Sequence, residues 1–405
     1  MLWICLFLAT APVVNAQPDQ QAFTNKGATT ILAGQMNTCP NGRPAEPFKA
    51  PSLNYQRKYH TIAHQFLDDE SGVNTITGDM YATLDTLIDE AVAILQPFPR
   101  NLPVDQARKF AGHALNQIDC ILLRHGFVYP GRGTVQLLSD GLEPTLYQNF
   151  RYLNEVYRQP HNLRRRAFVN AHGFGPFYVV DCDIAAYLYI AIAQALNYPV
   201  YLIDIPNHIF VRWELGAGQF INYETMDGLV TDDQYYQSNW QIPDAFLNRG
   251  GILRSMNTAE ATAYHDASIA EAWSWQHNDQ QTLDFYLRSI EWDATRPFAL
   301  NNLAWFYVVK SEAGVDNRLK ALKYAKLATE VFPSGDNFDT LACAYAEAKD
   351  FKAALKMLNY AASRGYAPFD SDIQEHLKRF KQKRGCDVSE FGRELKPFRP
   401  PKIGD

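Results

Sequence analysis

The stretch from Ile184 to Leu196, IAAYLYIAIAQAL, is apolar on nearly every side. A helix without a polar face has to be buried all round, so the rest of the chain must supply elements that wrap it. It falls short of the ~18–20 apolar residues needed to span a membrane. Asn197-Tyr198-Pro199 ends the helix, and Val200 to Ile203 reads as a short buried strand. His208 to Glu214 (HIFVRWE) and Gln219 to Glu224 (QFINYE) read as two more strands. Leu215-Gly216-Ala217-Gly218 between them has hairpin chemistry. A buried helix on an antiparallel sheet is an α+β arrangement.

Upstream, the pattern is helical from Asn54 to about Arg124. Tyr81, Leu84, Leu87, Ile88, Ala91, Ile94 and Leu95 recur at three- and four-residue steps, as do Ala107, Phe110, Ala111, Ala114, Ile118 and Leu122. Asn101-Leu102-Pro103 separates the two runs. His60 and His64 are spaced to share a helix face, but Thr-Ile-Ala between them lacks the Glu of a zinc-protease motif. Two surface or half-buried histidines is the better reading.

Downstream of about residue 258 the helical pattern repeats. Leu303-Ala304-Trp305-Phe306-Tyr307 recurs 38 residues on as Leu341-Ala342-Cys343-Ala344-Tyr345, and Ala321-Leu322 recurs as Ala354-Leu355. Pro297 and Pro333 read as closing successive units, and Ala270 to Asp293 as a degenerate earlier unit carrying Trp273 and Trp275. The tail from His376 carries nine Lys or Arg against four acids and three prolines. A solvated terminal helix with a loose end is favoured there over an anion-binding arm.

With 405 residues the chain is long enough for about two or three domains. A net charge of -6 gives no global pull toward nucleic acid or anionic membrane. The N-terminus, MLWICLFLATAPVVNAQ, has an apolar core from Leu2 to Ala11 and small residues at Val14 and Ala16. It reads as a signal peptide cleaved after Ala16, although no Lys or Arg precedes the core, and predicts a secreted or periplasmic protein. Cleavage leaves Cys39, Cys120, Cys182, Cys343 and Cys386. The odd count allows two bridges and one free thiol, or none. Cys39 with Cys120 and Cys343 with Cys386 is the simplest pairing, leaving Cys182 free. Cys343, however, sits at a repeat position that reads as buried, where a cysteine is more often an unpaired small apolar residue.

Cys182 opens the buried helix, where the helix dipole favours a thiolate. His208 opens the first hairpin strand and Glu224 ends the second; if the turn keeps its parity they share a sheet face, opposite or diagonal, and a one-residue bulge is expected to break this. A cysteine nucleophile needs a base and a group to orient that base. Asp181 and Asp183 flank the cysteine and disfavour its charge. One of them can cap the helix while the other points away. Parity places Arg212 on the His208 face and Trp213 in the core. The Cys182 amide could donate to an oxyanion, with Tyr178 a weaker candidate.

The segment DCDIAAYLYIAIAQALNYPVYLIDIPNHIFVRW, followed by INYET, resembles the transglutaminase-like superfamily, relatives of papain-type cysteine proteases. The downstream units resemble tetratricopeptide repeats, helix pairs of about 34 residues. The first resemblance implies Cys182 as nucleophile, His208 as base and Glu224, where the family usually has Asp, as orienter. The expected architecture is a papain/transglutaminase-like α+β core followed by an all-α helix-pair array. The divisions are a signal peptide at 1–16, a Pro-rich leader at 17–52, the transglutaminase-like domain at 53–250, repeats at 251–368 and a basic tail at 369–405. The expected function is thiol-dependent hydrolysis or acyl transfer at a peptide or carboxamide bond. An inactive scaffold binding a protein or peptide partner on its repeats is the alternative. Arg212 and Tyr178 are weak candidates for substrate or oxyanion contact. Neither function requires a metal or organic cofactor, a nucleic acid or a membrane span.

Overall fold

A computed structural model describes residues 55–99, 101–128, 146, 152–153, 177–180, 182–205, 208–225, 228–240, 242, 252–310, 314–363 and 370–386. The expected signal and leader segments and the chain after residue 386 lie outside these residues. The chain divides into two compact units, Met1–Gln241 with Ser255–Asn257, and Ile242–Arg254 with Thr258–Asp405. No helix among the described residues is long and apolar enough to cross a membrane.

The first unit is mixed helix and sheet. Three helices come first, α1 (Ile62–Glu70), α2 (Gly78–Ile94) and α3 (Val104–Arg124), with Pro103 at the N-cap of α3. The first two dock on the apolar helix α4 (Cys182–Ala195), which is buried from Cys182 through Ala193. This is the environment an all-apolar helix requires. Asn197 ends α4 in the left-handed conformation at φ 54°. Tyr198 N–H donates to Ala193 O at 2.8 Å and Asn197 N–H to Gln194 O at 3.1 Å, the paired bonds of a Schellman stop.

A small sheet not expected from the sequence precedes α4. Its strands are β1 (Phe127–Val128), β2 (Tyr152–Leu153) and β3 (Phe177–Val179), in the order β1-β3-β2. Strands of two or three residues are too short for an alternating pattern to register. The larger sheet is an antiparallel meander of β4 (Val200–Ile205), β5 (His208–Gly216), β6 (Gln219–Glu224) and β7 (Leu229–Thr231). From His208 to Trp213 strand β5 is buried on both faces. Trp213 is fully buried against Phe98, Phe110 and Tyr198, and Tyr223 packs on Tyr189 of α4.

His60 and His64 do not share a helix face, because α1 begins after His60, which is exposed. His64 Nδ1 accepts from Thr61 N–H at 3.3 Å, so Nε2 donates to Asp85 Oδ1 at 3.0 Å. Burial, opposed by Asp85, holds the His64 pKa below its ordinary value. It is a satisfied core histidine.

After the short helix α5 (Asp233–Asn239) the second unit is helical. It contains α6 (Thr258–Trp275), α7 (Asp279–Trp292), α8 (Pro297–Val309), α9 (Val315–Val331), α10 (Gly335–Glu347), α11 (Phe351–Ser363) and α12 (Asp370–Lys381). Consecutive helices pack as the pairs α6–α7, α8–α9 and α10–α11. Their short connectors force an antiparallel arrangement. Ala304, Ala321, Ala342 and Ala354 are all fully buried, as expected of small residues between close helices. Pro297 opens a helix rather than closing a unit, at the first-turn position where its missing N–H costs nothing.

The basic tail is also not wholly loose. Helix α12 buries Ile373, His376 and Phe380 at helical spacing and packs on α11 and α10. Its lysines and arginines occupy the remaining faces, so the charge run hid an amphipathic helix.

Candidate active site

Strand β5 runs His-Ile-Phe-Val-Arg-Trp, with every second residue on one face. Val211 pairs with Tyr223 and Arg212 with Asn222, which places Glu224 diagonal to His208 on the even-numbered face. Ala217 and Gly218 both have positive φ, 50° and 73°, as a two-residue hairpin turn requires. The turn alone would have put His208 and Glu224 on opposite faces, since Gly216 pairs with Gln219. An extra residue on β5, Leu215, lies between Glu214 and Gly216 and restores the shared face. The expected parity therefore holds because of a bulge and not in its absence.

His208 Nε2 lies 2.7 Å from Glu224 Oε2, and both side chains are almost fully buried. The Cys182 side chain lies close enough to bear on the charge of the His208 ring. With Nε2 facing the carboxylate, Nδ1 is the nitrogen open to another group. Burial works to lower the His208 pKa, but the Glu224 charge, the neighbouring Cys182 side chain and the bond to Glu224 outweigh it and push it up to about 10. Cys182, His208 and Glu224 therefore converge, each from a different element: the first residue of α4, the first of β5 and the last of β6.

Cys182 has a second partner. Its Sγ donates to Asp183 Oδ1 at 3.0 Å, so of the two flanking acids Asp183 turns toward the thiol. Asp181 lies outside the described residues. Position explains the contact: Asp183 is in the first turn beside the thiol, where helix-end amides favour a carboxylate.

The weaker candidates are held elsewhere. Arg212 shares the His208 face, but its Nε donates to Asn222 Oδ1 at 2.8 Å and its Nη2 pairs with Asp233. Its guanidinium lies over the Phe220 ring at 3.9 Å. These contacts tie β5 to β6 and α5, so Arg212 braces the sheet beside the triad. Tyr178 stacks on Phe127 with ring centroids 4.7 Å apart, in register with Phe127 and Tyr152 of the small sheet.

An aromatic wall completes the site and escaped the sequence reading. Trp240 stacks on the His208 ring at 4.9 Å, and Tyr236 stacks face to face on Phe210 at 3.7 Å. Tyr236 OH reaches Glu224 Oε2 at 3.4 Å. Asp232 accepts from Tyr235 N–H and caps α5, aiming Tyr236 under the hairpin. Asp232 ahead of a Tyr-Tyr pair is an N-cap signal that could have revealed this helix.

Cys343 is bonded to Cys386, so the buried repeat position did not leave it unpaired, and Cys120 is also disulfide-bonded. The expected Cys39–Cys120 pairing falls on Cys39, which lies outside the described residues. Cys182 is the one free cysteine among the described residues. No protein-family model matches this chain, and no curated protein matches it.

Proposed function

We propose that this chain is an exported, transglutaminase-like cysteine protein that cleaves or transfers an acyl group at a peptide or carboxamide bond. The observation that carries this reading is the buried His208–Glu224 pair with the unbridged Cys182 beside it. The Cys182 thiolate adds to the substrate carbonyl, and the helix-end amide of Cys182 donates to the oxygen as it gains charge. The His208 imidazolium gives its proton to the departing amine, leaving a thioester on Cys182. Water or a second amine then attacks the thioester, its proton passing to His208. Hydrolysis is the default outcome because water is always present. Glu224 keeps the ring oriented and stabilises its charge, the part an acid plays in such triads. No cofactor enters these steps. The helix pairs of the second unit fit tetratricopeptide-like repeats, which present a surface for a protein or peptide.

Comparing wild type with Cys182→Ala on a library of peptides and carboxamides tests the reading. Product formation that depends on Cys182 supports it, and equal turnover by both proteins refutes it.

One observation favours the second reading, an inactive scaffold that binds a partner through its helix pairs. Asp183 accepts a hydrogen bond from the thiol at 3.0 Å, which stabilises the neutral thiol. Asp183→Asn separates the two: an enzyme gains thiolate and speeds up, whereas a scaffold shows no turnover in either form.

A further inference from the structure

A second cluster of sulfur, imidazole and carboxylate lies in the helical unit and takes no part in the proposed reaction. Asp339 and Cys343 stand one turn apart on α10, so they share a face. His376 projects from α12, and Cys386 follows that helix. All four side chains are buried. The Cys343 sulfur lies 3.9 Å from both nitrogens of His376, and His376 Nδ1 is 2.8 Å from Asp339 Oδ1. One ligand atom each from Cys343, Cys386 and His376 lies within 4.8 Å of the others. Asp339 Oδ2 is buried without a hydrogen-bond partner among the described residues.

We propose that, once the Cys343–Cys386 bond is reduced, this cluster is a zinc site. Cys343 Sγ, Cys386 Sγ and His376 Nε2 are its ligands, and Asp339 holds the histidine through Nδ1. Tetrahedral zinc with Zn–S of about 2.3 Å and Zn–N of about 2.0 Å sets sulfur and nitrogen roughly 3.6 Å apart. The Cys343–His376 separation is already close to that. Only the two sulfurs must part, from bonding distance to roughly 3.8 Å. A carboxylate on the far nitrogen of a metal-bound histidine is the usual supporting contact.

The segment bearing Cys386 is held independently of the disulfide. Cys386 N–H donates to Glu347 Oε1 at 3.2 Å, and Arg379 donates to Gly385 O at 2.7 Å and to Cys386 O at 3.2 Å. A side chain at Gly385 would collide with Glu347, its first atom falling 1.9 Å from Oε1. These contacts keep Cys386 beside Cys343 after the S–S bond is broken. In the reduction the disulfide takes two electrons and two protons from a dithiol, which closes to its own disulfide. Zinc then displaces both thiol protons into solvent. Oxidised, the same sulfurs are bonded to each other and hold no metal. The site thus has two exclusive states, selected by reductant and metal supply.

The test uses the full chain reduced with a phosphine, which takes oxygen from water as the S–S bond becomes two thiols. Cobalt(II) serves as a coloured substitute for zinc. The expected result is one cobalt per chain with a thiolate-to-cobalt charge-transfer band, none in the oxidised protein, and bleaching by added zinc. The double variant Cys343→Ser/Cys386→Ser, which keeps every other cysteine, should lose the band. His376→Ala should weaken binding at least tenfold, and Asp339→Asn by about tenfold to a hundredfold. If reduction alone unfolds the helices, zinc should restore their circular dichroism. A reduced wild type that binds no more cobalt than the double variant overturns the site. So does an affinity untouched by His376→Ala, or helicity lost on reduction and not recovered with zinc.

Discussion

Two places in this molecule bring together a cysteine, a histidine and a carboxylate, and they differ in where the cysteine stands. Cys182 is the first residue of a helix, unbridged, with the first-turn amides beside it. Cys343 lies in the second half of α10, its own amide inside the helical ladder, and its sulfur is bonded to Cys386. A negative sulfur gains from the dipole at the first position and gains nothing at the second. Residue types alone therefore do not make a nucleophile; helix position and oxidation state divide the two clusters into the one for which we propose acyl transfer and the one for which we propose a bridge or a metal. His64 with Asp85 supplies a third case, a histidine–carboxylate pair without sulfur. There burial keeps the ring pKa low, whereas at His208 the carboxylate and the sulfur together push it up.

The largest effect should come from removing each sulfur in turn. Cys182→Ala should lower turnover by at least ~10⁴-fold, as expected for loss of a nucleophile. Cys343→Ala should leave turnover within about twofold at a temperature where the variant is folded, because its bridge lies outside the chemistry and acts on stability. Parallel progress curves on one substrate settle it; matched losses in the two variants would erase the contrast between the clusters.

The pH dependence of alkylation sharpens the same contrast. If Cys182 shares its proton with His208, iodoacetamide should label it with a midpoint below pH 7. His208→Gln should move that midpoint toward the ordinary thiol value of about 8.5. The midpoint is the useful reading because burial slows labelling at every pH alike. A wild-type midpoint at or above 8.5 would mean that Asp183 wins and the thiol rests neutral.

Stability should respond to pH with opposite signs at the two histidines. The His208 pKa is raised in the folded state, so its contribution is complete below about pH 6.5 and is lost as the pH climbs toward 10. The His64 pKa is lowered, so the fold disfavours its protonation and stability falls as the pH drops through 6.5. Denaturant midpoints should show His208→Gln flattening the alkaline limb and His64→Gln flattening the acid limb. Both variants flattening the same limb would contradict the assigned directions. The alkaline limb belongs to the coupled thiol–imidazole pair rather than to one residue.

Much of the contrast was legible in the sequence, and the reasons for what was not are local. The apolar run at Ile184–Leu196 announces its own burial, and the alternation in HIFVRWE assigns Trp213 to the core and His208 to the other face. Leu215 was not legible as a bulge, because a loop containing two glycines is compatible with several turns. The pairing of Asp183 with the thiol depends on a rotamer, and no spacing encodes a rotamer. Tyr236 and Trp240 reach His208 from a helix of only seven residues, too short to show periodicity. In the second unit the buried alanines were readable from the repeat. The burial of His376 was masked by lysines and arginines on the other faces of its helix.

The smallest predicted effect concerns packing in the second unit, set against its own surface. Ala304 is fully buried on α8, while Leu319 on α9 is 59% exposed. Ala304→Leu inserts three carbon atoms where neighbouring helices meet and should destabilise by ~1–3 kcal/mol through overpacking. Leu319→Ala removes the same three atoms from a side chain that remains mostly in water, and should stay within about 0.5 kcal/mol of wild type. Helix propensity does not produce this difference, since leucine and alanine are both strong helix formers. Urea unfolding of the two variants isolates the packing contribution. Equal midpoints would mean that α8 moves aside to admit the larger side chain, and that the close approach implied by the recurring alanines is not what stabilises the helix pairs.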